Sequence, residues 1–388
     1  MAGKQGVKTG KKKEAQQTER KKLTSNERIK ELEDEISKTK YNKRTQHAVG
    51  LMKAKLAVLK ERATQRSSAG KGKGDDRFSV RKTGDGTAVL LGFPSVGKST
   101  LLNKLTSAKS DIAAYSFTTL SAVPGLMEYR HAKIQIVDVP GIVRGAASGK
   151  GRGKEVLGIL RTADLILILV DALNPEHYKA ILREVYETGI RINSRKPDVK
   201  IAKRSRGGIT AGSTVMLTKI DNKTIVDIAR EMRLNNADIL IREDIDADQL
   251  IDVIEGGRVY TKALTIITKI DLVDKEVLKK LENDIKPDAI VAAENGEGVS
   301  ELKEKIFEKM ELIRVFLKEV NKKADMEEPL IMFKGCTIRD VCSKLHKDFV
   351  DKFKFVRVWG NSAKFDGQTF RRLDKGLLDR DVLELHMR

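Results

Sequence analysis

Along this chain, short fully apolar runs alternate with stretches in which apolar residues recur every three or four positions. Ala88-Val89-Leu90-Leu91, Asp164-Leu-Ile-Leu-Ile-Leu-Val-Asp171, Ala263-Leu264-Thr265-Ile266-Ile267 and Ala289-Ile290-Val291 have the make-up of strands buried on both faces. Lys133-Ile134-Gln135-Ile136-Val137 alternates as a strand with one polar face. Residues 101–105, 177–187, 275–283 and 301–310 carry the helical spacing between them. Strand and helix in turn predict an α/β domain around a parallel sheet.

Other patterns flank and interrupt this one. Residues 1–23 hold almost no large apolar side chain, which predicts a basic tail disordered when free. Thr24-x-x-Glu27 reads as a capping box, followed by Ile29, Leu32 and Ile36 at helical spacing, with a break at Asn42. A second helical pattern interleaves Leu51, Leu56 and Leu59 with Lys53, Lys55 and Lys60. Residues 24–74 thus predict a basic helical hairpin ending in the Gly/Ser-rich linker at 67–74. The α/β domain is expected over 75–190 and 246–312, interrupted at 191–245 by a small α+β module. Thr214-Val215-Met216-Leu217 and Ile239-Leu240-Ile241 have strand character in that module, beside the basic group Arg195, Lys196, Lys200, Lys203, Arg204 and Arg206.

Residues 313–388 read as a separate C-terminal unit: a strand at 313–320, a helix capped by Thr337-x-x-Asp340, and strands at 355–360 and 377–385. Short strands around one helix suggest a β-grasp. Cys342 falls on the apolar face of that helix and reads as core.

Composition changes the picture through charge. The 388 residues carry a net +20 and are 40% hydrophobic. Residues 1–80 hold 22 Lys and Arg against 10 Asp and Glu, so more than half of the excess sits on the N-terminal arm. A basic arm on a globular core points to a polyanionic partner, RNA or an RNA-containing particle. The apolar runs are too short to span a bilayer, and no apolar segment follows the basic N-terminus, so no membrane partner is expected. Two cysteines, Cys336 and Cys342, offer neither a metal quartet nor a disulfide framework. The chain reads as cytoplasmic.

The chemistry sits at the ends of the predicted strands. Gly92-Phe93-Pro94-Ser95-Val96-Gly97-Lys98-Ser99-Thr100 follows the first strand and opens a helix. It matches G-x-x-x-x-G-K-[ST], whose backbone N–H groups wrap nucleotide phosphates at a helix N-terminus. In that pattern Lys98 reaches the β/γ-phosphates and Ser99 offers a hydroxyl to Mg²⁺. Thr119, or Thr118 as the fallback, lies where a nucleotide switch supplies a second magnesium ligand. Asp138 ends the strand 133–137 and begins Asp138-Val139-Pro140-Gly141. Its carboxylate can hold the metal through water, and the N–H of Gly141 can sense the γ-phosphate. Residues 145–153 are glycine-rich enough to act as a second switch.

Base choice rests on [NT]-K-x-D, whose aspartate accepts from the guanine ring N–H and exocyclic amine. Thr218-Lys219-Ile220-Asp221 and Thr268-Lys269-Ile270-Asp271 both fit. Only the second ends a buried strand and is followed by a helix, a strand and a loop, Ala292-Ala293-Glu294-Asn295-Gly296, able to back the base with main-chain N–H groups. Thr268, Lys269 and Asp271, with Ala292 and Ala293, are therefore the expected guanine site. Ile142 stands where many small GTPases place the glutamine that orients the attacking water, so hydrolysis is expected to be slow or assisted from outside.

Taken together, 92–102, 115–120, 138–141, the glycine-rich segment to Arg161, and 268–271 resemble the Obg-like GTPases, within them the developmentally regulated GTP-binding protein family. The likeness extends to Thr39-Lys40-x-Asn42-Lys43 in the hairpin, to Asn236-Ala237-Asp238-Ile239-Leu240 in the insertion, and to a TGS domain around Val358-Trp359-Gly360. The resemblance implies a Mg²⁺-dependent GTPase on ribosomes or translating RNA, with an insertion like ribosomal protein S5 and a dedicated partner protein. It also implies potassium stimulation in many members; Ser95 stands where some of these use Asn to hold K⁺. Thr268 replaces the usual Asn and Ala292 the usual Ser. Lys98, Thr119 and Gly141 are the expected catalytic residues. The competing readings are an RNA-binding scaffold whose nucleotide site is structural, and an ATP-using phosphate-loop enzyme.

Overall fold

The computed structural model describes residues 25–40, 42–68, 84–106, 123–139 and 153–388. The tail, Thr24, the linker from residue 69, Thr118, Thr119, Gly141, Ile142 and residues 145–152 lie outside the described residues. The described residues form two compact units, one within 1–72 and 196–258, the other within 73–195 and 259–388.

In the second unit the apolar runs become a seven-stranded sheet. Its strands are β1 (Gly86–Leu91), β2 (Val123–Tyr129), β3 (Ala132–Asp138), β4 (Leu165–Asp171), β5 (Ile190–Ile192), β9 (Val259–Thr268) and β10 (Ala289–Val291). The order is β10-β9-β4-β1-β3-β2, with β5 beside the start of β9. Only β2 runs antiparallel; β1, β3, β4, β9 and β10 are parallel. Their carboxyl ends therefore share one edge, where α/β sheets bind ligands.

Side chains alternate between two apolar layers. Ala88 and Leu90 face α3 (Lys98–Leu105) and α9 (Val299–Met310), packing with Leu101, Leu105, Leu302 and Ile306. Val89 and Leu91 face α4 (Gly153–Thr162) and α5 (His177–Glu187), packing with Leu160, Ile181 and Val185. Helix α8 (Lys275–Ile285) adds Leu281 to a smaller cluster with Ile267, Ile270 and Ala292.

The same unit ends in a five-stranded sheet ordered β12-β11-β15-β13-β14. These are β11 (Leu312–Leu317), β12 (Leu330–Phe333), β13 (Phe353–Trp359), β14 (Gln368–Phe370) and β15 (Asp381–Met387). Helices α10 (Ile338–Leu345) and α11 (Lys347–Asp351) cover one face, and Cys336 and Cys342 are buried there among Val341, Val356 and Val358. Burial pushes the Cys336 thiol up to about 11, which keeps it protonated and inert. The expected cap is present: the Thr337 N–H donates to Asp340 Oδ2 at 2.7 Å. β11 ends at Leu317 rather than Val320: the Lys318 N–H makes the last ladder bond, to the Leu383 carbonyl at 2.8 Å, and the chain turns at Val320.

The first unit joins the N-terminal hairpin to the inserted module. Helices α1 (Ser25–Lys38) and α2 (Gln46–Ser68) meet at Asn42, whose Oδ1 accepts from the N–H groups of Arg44 and Thr45 at 2.9 and 3.0 Å. The module is a sheet of β6 (Val199–Lys203), β8 (Ala237–Ile241) and β7 (Ile209–Ser213), in that order, with α6 (Asn222–Glu231) and α7 (Ala247–Glu255). Ala54 of α2 enters its core with Ile225, Ile228 and Leu250. Because α7 buries Ala247, Leu250 and Ile251 in that core, the unit closes at Arg258 rather than at 245.

Residues 214–217, expected as a strand, are irregular. The Thr214 N–H makes the last ladder bond, to the Ile241 carbonyl at 2.9 Å; beyond it Met216 is 85% exposed and Asp244 takes the N–H of Thr218 at 2.8 Å. Strand propensity without a pairing partner does not make a strand. Among the described residues, no helix is long and apolar enough to cross a membrane.

Candidate nucleotide-binding site

The turn from β1 into α3 is where the shared sheet edge becomes a site. Gly97 has φ 95°, a conformation that leaves glycine nearly unstrained. Gly92 is needed for a different reason: a Cβ there would lie 2.9 Å from Val96 Cγ1 and 3.0 Å from the Leu169 carbonyl. Helix α3 then starts at Lys98 with the positive end of its dipole facing the loop.

Lys98 Nζ donates to the carbonyls of Gly92 at 3.1 Å and Phe93 at 3.0 Å. Burial pulls its ammonium below the ordinary lysine value, and Asp138 opposes that pull. Asp138 is shifted upward by its own burial, against Lys98 and a hydrogen bond from Ser99. Ser99 Oγ donates to Asp138 Oδ2 at 3.1 Å. The other carboxylate oxygen, Oδ1, is buried with no hydrogen-bond partner among the described residues. A hydroxyl and a half-buried carboxylate with a spare oxygen are donors of the kind that hard divalent cations take.

A cleft of about 500 Å³ runs from this loop to the end of β9. Ser95, Val96, Gly97, Lys98, Ser99 and Thr100 line one side; Thr268, Lys269, Asp271, Ala293 and Glu294 line the other, with Leu272. Thr268 is buried, and its hydroxyl faces two carbonyls, Val96 at 2.8 Å and Val170 at 3.2 Å. Lys269 sits at φ 59° and its ammonium pairs with Asp171 Oδ2 at 2.8 Å. Burial acts to raise Asp171, but the Lys269 hydrogen bond and the Leu173 N–H outweigh it and hold the carboxyl below its usual range.

The structure thus brings together the phosphate loop, Asp138 and the second Thr-Lys-Ile-Asp segment. It does not bring the first. Asp221 caps α6, accepting from the Thr224 N–H at 2.7 Å, and belongs to the other compact unit. Nor does Ala292 line the cleft: it is fully buried, and its N–H is engaged by the Glu297 carbonyl at 3.1 Å. Two neighbours, Leu272 and His177, escaped the sequence reading, and Glu294 was read only as part of the loop behind the base. Leu272 is 58% exposed at the cleft wall, Glu294 sits beside Ala293, and His177 stacks on Phe93 with ring centroids 4.2 Å apart. An apolar residue directly after the Asp271 motif was the only signal for the first; His177 carried none.

Three family models match in sequence: one described as a 50S ribosome-binding GTPase over 87–204, one as the C-terminal region of that domain over 206–312, and a TGS domain over 313–387. A GTP-binding protein of Methanocaldococcus jannaschii is 52% identical, with 92% of each chain covered. Developmentally-regulated G-protein 3 of Arabidopsis thaliana is 43% identical over 92% of this chain and 98% of its own. The chain belongs to the developmentally regulated GTP-binding protein family. Developmentally-regulated GTP-binding protein 1 of Xenopus laevis, 41% identical, covers the same shares. As a member of this family of GTP-binding proteins, the chain pairs a phosphate-loop GTPase domain with a C-terminal TGS domain.

Proposed function

We propose that the chain hydrolyses GTP to GDP and phosphate and acts as a slow molecular switch on ribosomes or RNA during translation, in the cytoplasm. One observation carries the reading: a single cleft is lined by Ser95–Thr100 on one side and by Lys269 and Asp271 on the other. That spacing offers phosphate donors and a base-selecting carboxylate to one nucleotide.

Each residue then has a task. The backbone N–H groups of the loop and the α3 dipole hold the phosphates. Lys98 exchanges two main-chain carbonyls for phosphate oxygens, a stronger charge-assisted contact. Asp271 accepts from the guanine edge, Lys269 packs on the base, and Ala293 backs it. Ser99 and Thr119 would hold magnesium, with Asp138 acting through water. When bound, the ion neutralises charge on the phosphates. K⁺ is a second candidate ion, with Ser95 beside it. Gly141 and Thr119 read the γ-phosphate. Ile142 cannot orient water, so turnover depends on a partner or remains slow.

The family model over the GTPase domain is described as ribosome-binding, and the N-terminal arm is strongly basic. Both support a ribosomal or RNA partner, alongside a dedicated regulatory protein. Phosphate release from GTP, compared between wild type and Lys98→Ala, tests the enzyme reading. Release should fall by orders of magnitude; equal release would leave a scaffold with a structural nucleotide site.

A further inference from the structure

The C-terminal TGS domain carries a second cleft, which shares no lining residue with the nucleotide-binding one. It has a volume of about 430 Å³ and is lined by Arg339, Arg371 and Arg372, with Asp374 at hand and Val350, Phe353 and Leu373 between them.

What sets these arginines apart is that three of them line one cleft without an acidic partner among the described residues. Elsewhere in the module, by contrast, Arg314 pairs with Asp379 at 2.7 Å and Arg357 with Glu384 at 3.4 Å. No ion pair joins Arg339, Arg371 or Arg372 to an acid among the described residues. All three are exposed. Gathering three unpaired guanidinium groups over apolar side chains raises their mutual repulsion, and an anion bound between them would remove it.

The frame beneath them is built. The Arg339 N–H donates to the Leu373 carbonyl at 2.9 Å and the Ile338 N–H to the Lys375 carbonyl at 3.1 Å. These bonds fasten 373–375 to the first turn of α10, so the arginines come from two segments locked together. They also occupy the first donors of α10, leaving the side chains to do the binding.

We infer that this cleft is a docking site for the phosphodiester backbone of RNA. Guanidinium forks match phosphate oxygens two at a time, and phosphate contacts position a strand without reading its sequence. The apolar floor between the arginines suits the flat face of a base from an unpaired strand. RNA is favoured over a phosphorylated protein because residues 313–388 themselves carry 17 Lys and Arg against 12 Asp and Glu, a positive field suited to a long polyanion. The inference rests on the RNA partner proposed above and locates one of its contacts.

The test uses the full chain and a fluorescein-labelled single-stranded RNA oligonucleotide, with anisotropy titrations between about 50 and 200 mM salt. The triple variant Arg339→Gln, Arg371→Gln, Arg372→Gln should bind more weakly. Its slope of log affinity against log salt should be shallower by about 2, the loss of three single-strand phosphate contacts. Lys322→Gln, Lys323→Gln, Lys364→Gln removes the same charge from residues that do not line the cleft, and should change the slope less. GTP affinity and thermal midpoint should stay at the wild-type values in both. An unchanged slope in the arginine variant, or an equal loss in the lysine variant, overturns the site. Displacement by a phosphoserine peptide with no response to RNA would assign it to a protein instead. If wild type binds no RNA at all, the site and the RNA partner fall together, whereas GTP turnover is decided by Lys98→Ala alone.

Discussion

The Thr268 hydroxyl donates to the Val96 carbonyl across 2.8 Å, tying the end of β9 to the phosphate loop. A hydroxyl has one proton, and this one also faces the Val170 carbonyl at 3.2 Å. Replacing Thr268 by Val keeps the shape and leaves both carbonyls buried without that donor. Such a loss costs about 1–3 kcal/mol, so GDP should dissociate roughly tenfold faster. Thr268→Ser should restore the wild-type rate, and stopped-flow release of a fluorescent GDP measures both.

Asp271 governs the choice of base. In Asp271→Asn the amide turns a donor toward guanine N–H groups that need acceptors. A polar site facing the wrong partner discriminates strongly, so GTP affinity should fall about a hundredfold or more while ATP affinity barely changes. Competition titrations with both nucleotides give the ratio; an unchanged ratio would revive the ATP reading.

Glu384 provides a pH signature in the TGS domain. Its carboxylate is 2% exposed and accepts from Lys318 at 2.7 Å, with His386 Nε2 at 2.8 Å. The Lys318 hydrogen bond, against the cost of burial and helped by His386, holds it below the ordinary glutamate value of 4.5. Between that depressed value and 4.5 the unfolded chain binds more protons, so stability rises with pH there. Glu384→Gln should cost about 1–3 kcal/mol at neutral pH. That difference should shrink as pH drops below 4.5, and urea unfolding at several pH values follows it.

Gly50 decides how closely α2 meets the inserted module. A Cβ at that position would lie 3.3 Å from both Ile228 Cδ1 and Thr224 Cγ2. Gly50→Leu should overpack the contact at a cost of about 1–3 kcal/mol. The N-terminal helices should then be cut faster by trypsin at their many lysines. Limited proteolysis followed by mass spectrometry reports the rate.

Much of this was written in the order of residues. The apolar runs 88–91, 164–171 and 263–267 read as buried parallel strands, because a run with no polar face must be covered on both sides. The glycine loop, the helical hairpin with its Asn42 break, and the Thr337–Asp340 cap were local patterns, read within a few residues of themselves. Between two identical Thr-Lys-Ile-Asp segments, flanking pattern alone favoured the second. What local pattern could not supply was distance. That Thr268 reaches Val96, that Lys269 meets Asp171, and that His177 lies on Phe93 depend on parallel strands placing far-apart segments on one edge. Residues 214–217 show the converse: strand-forming side chains stayed irregular once the Thr214 N–H had made the last ladder bond, to the Ile241 carbonyl at 2.9 Å, where β8 ends. Similarly, residues 246–255 follow the expected module boundary in sequence, yet the apolar face of α7 is buried in the core of that module. The sequence determined which elements form and what chemistry they carry. Only the tertiary structure decided which of them meet, because pairing and packing are set by partners that lie far along the chain.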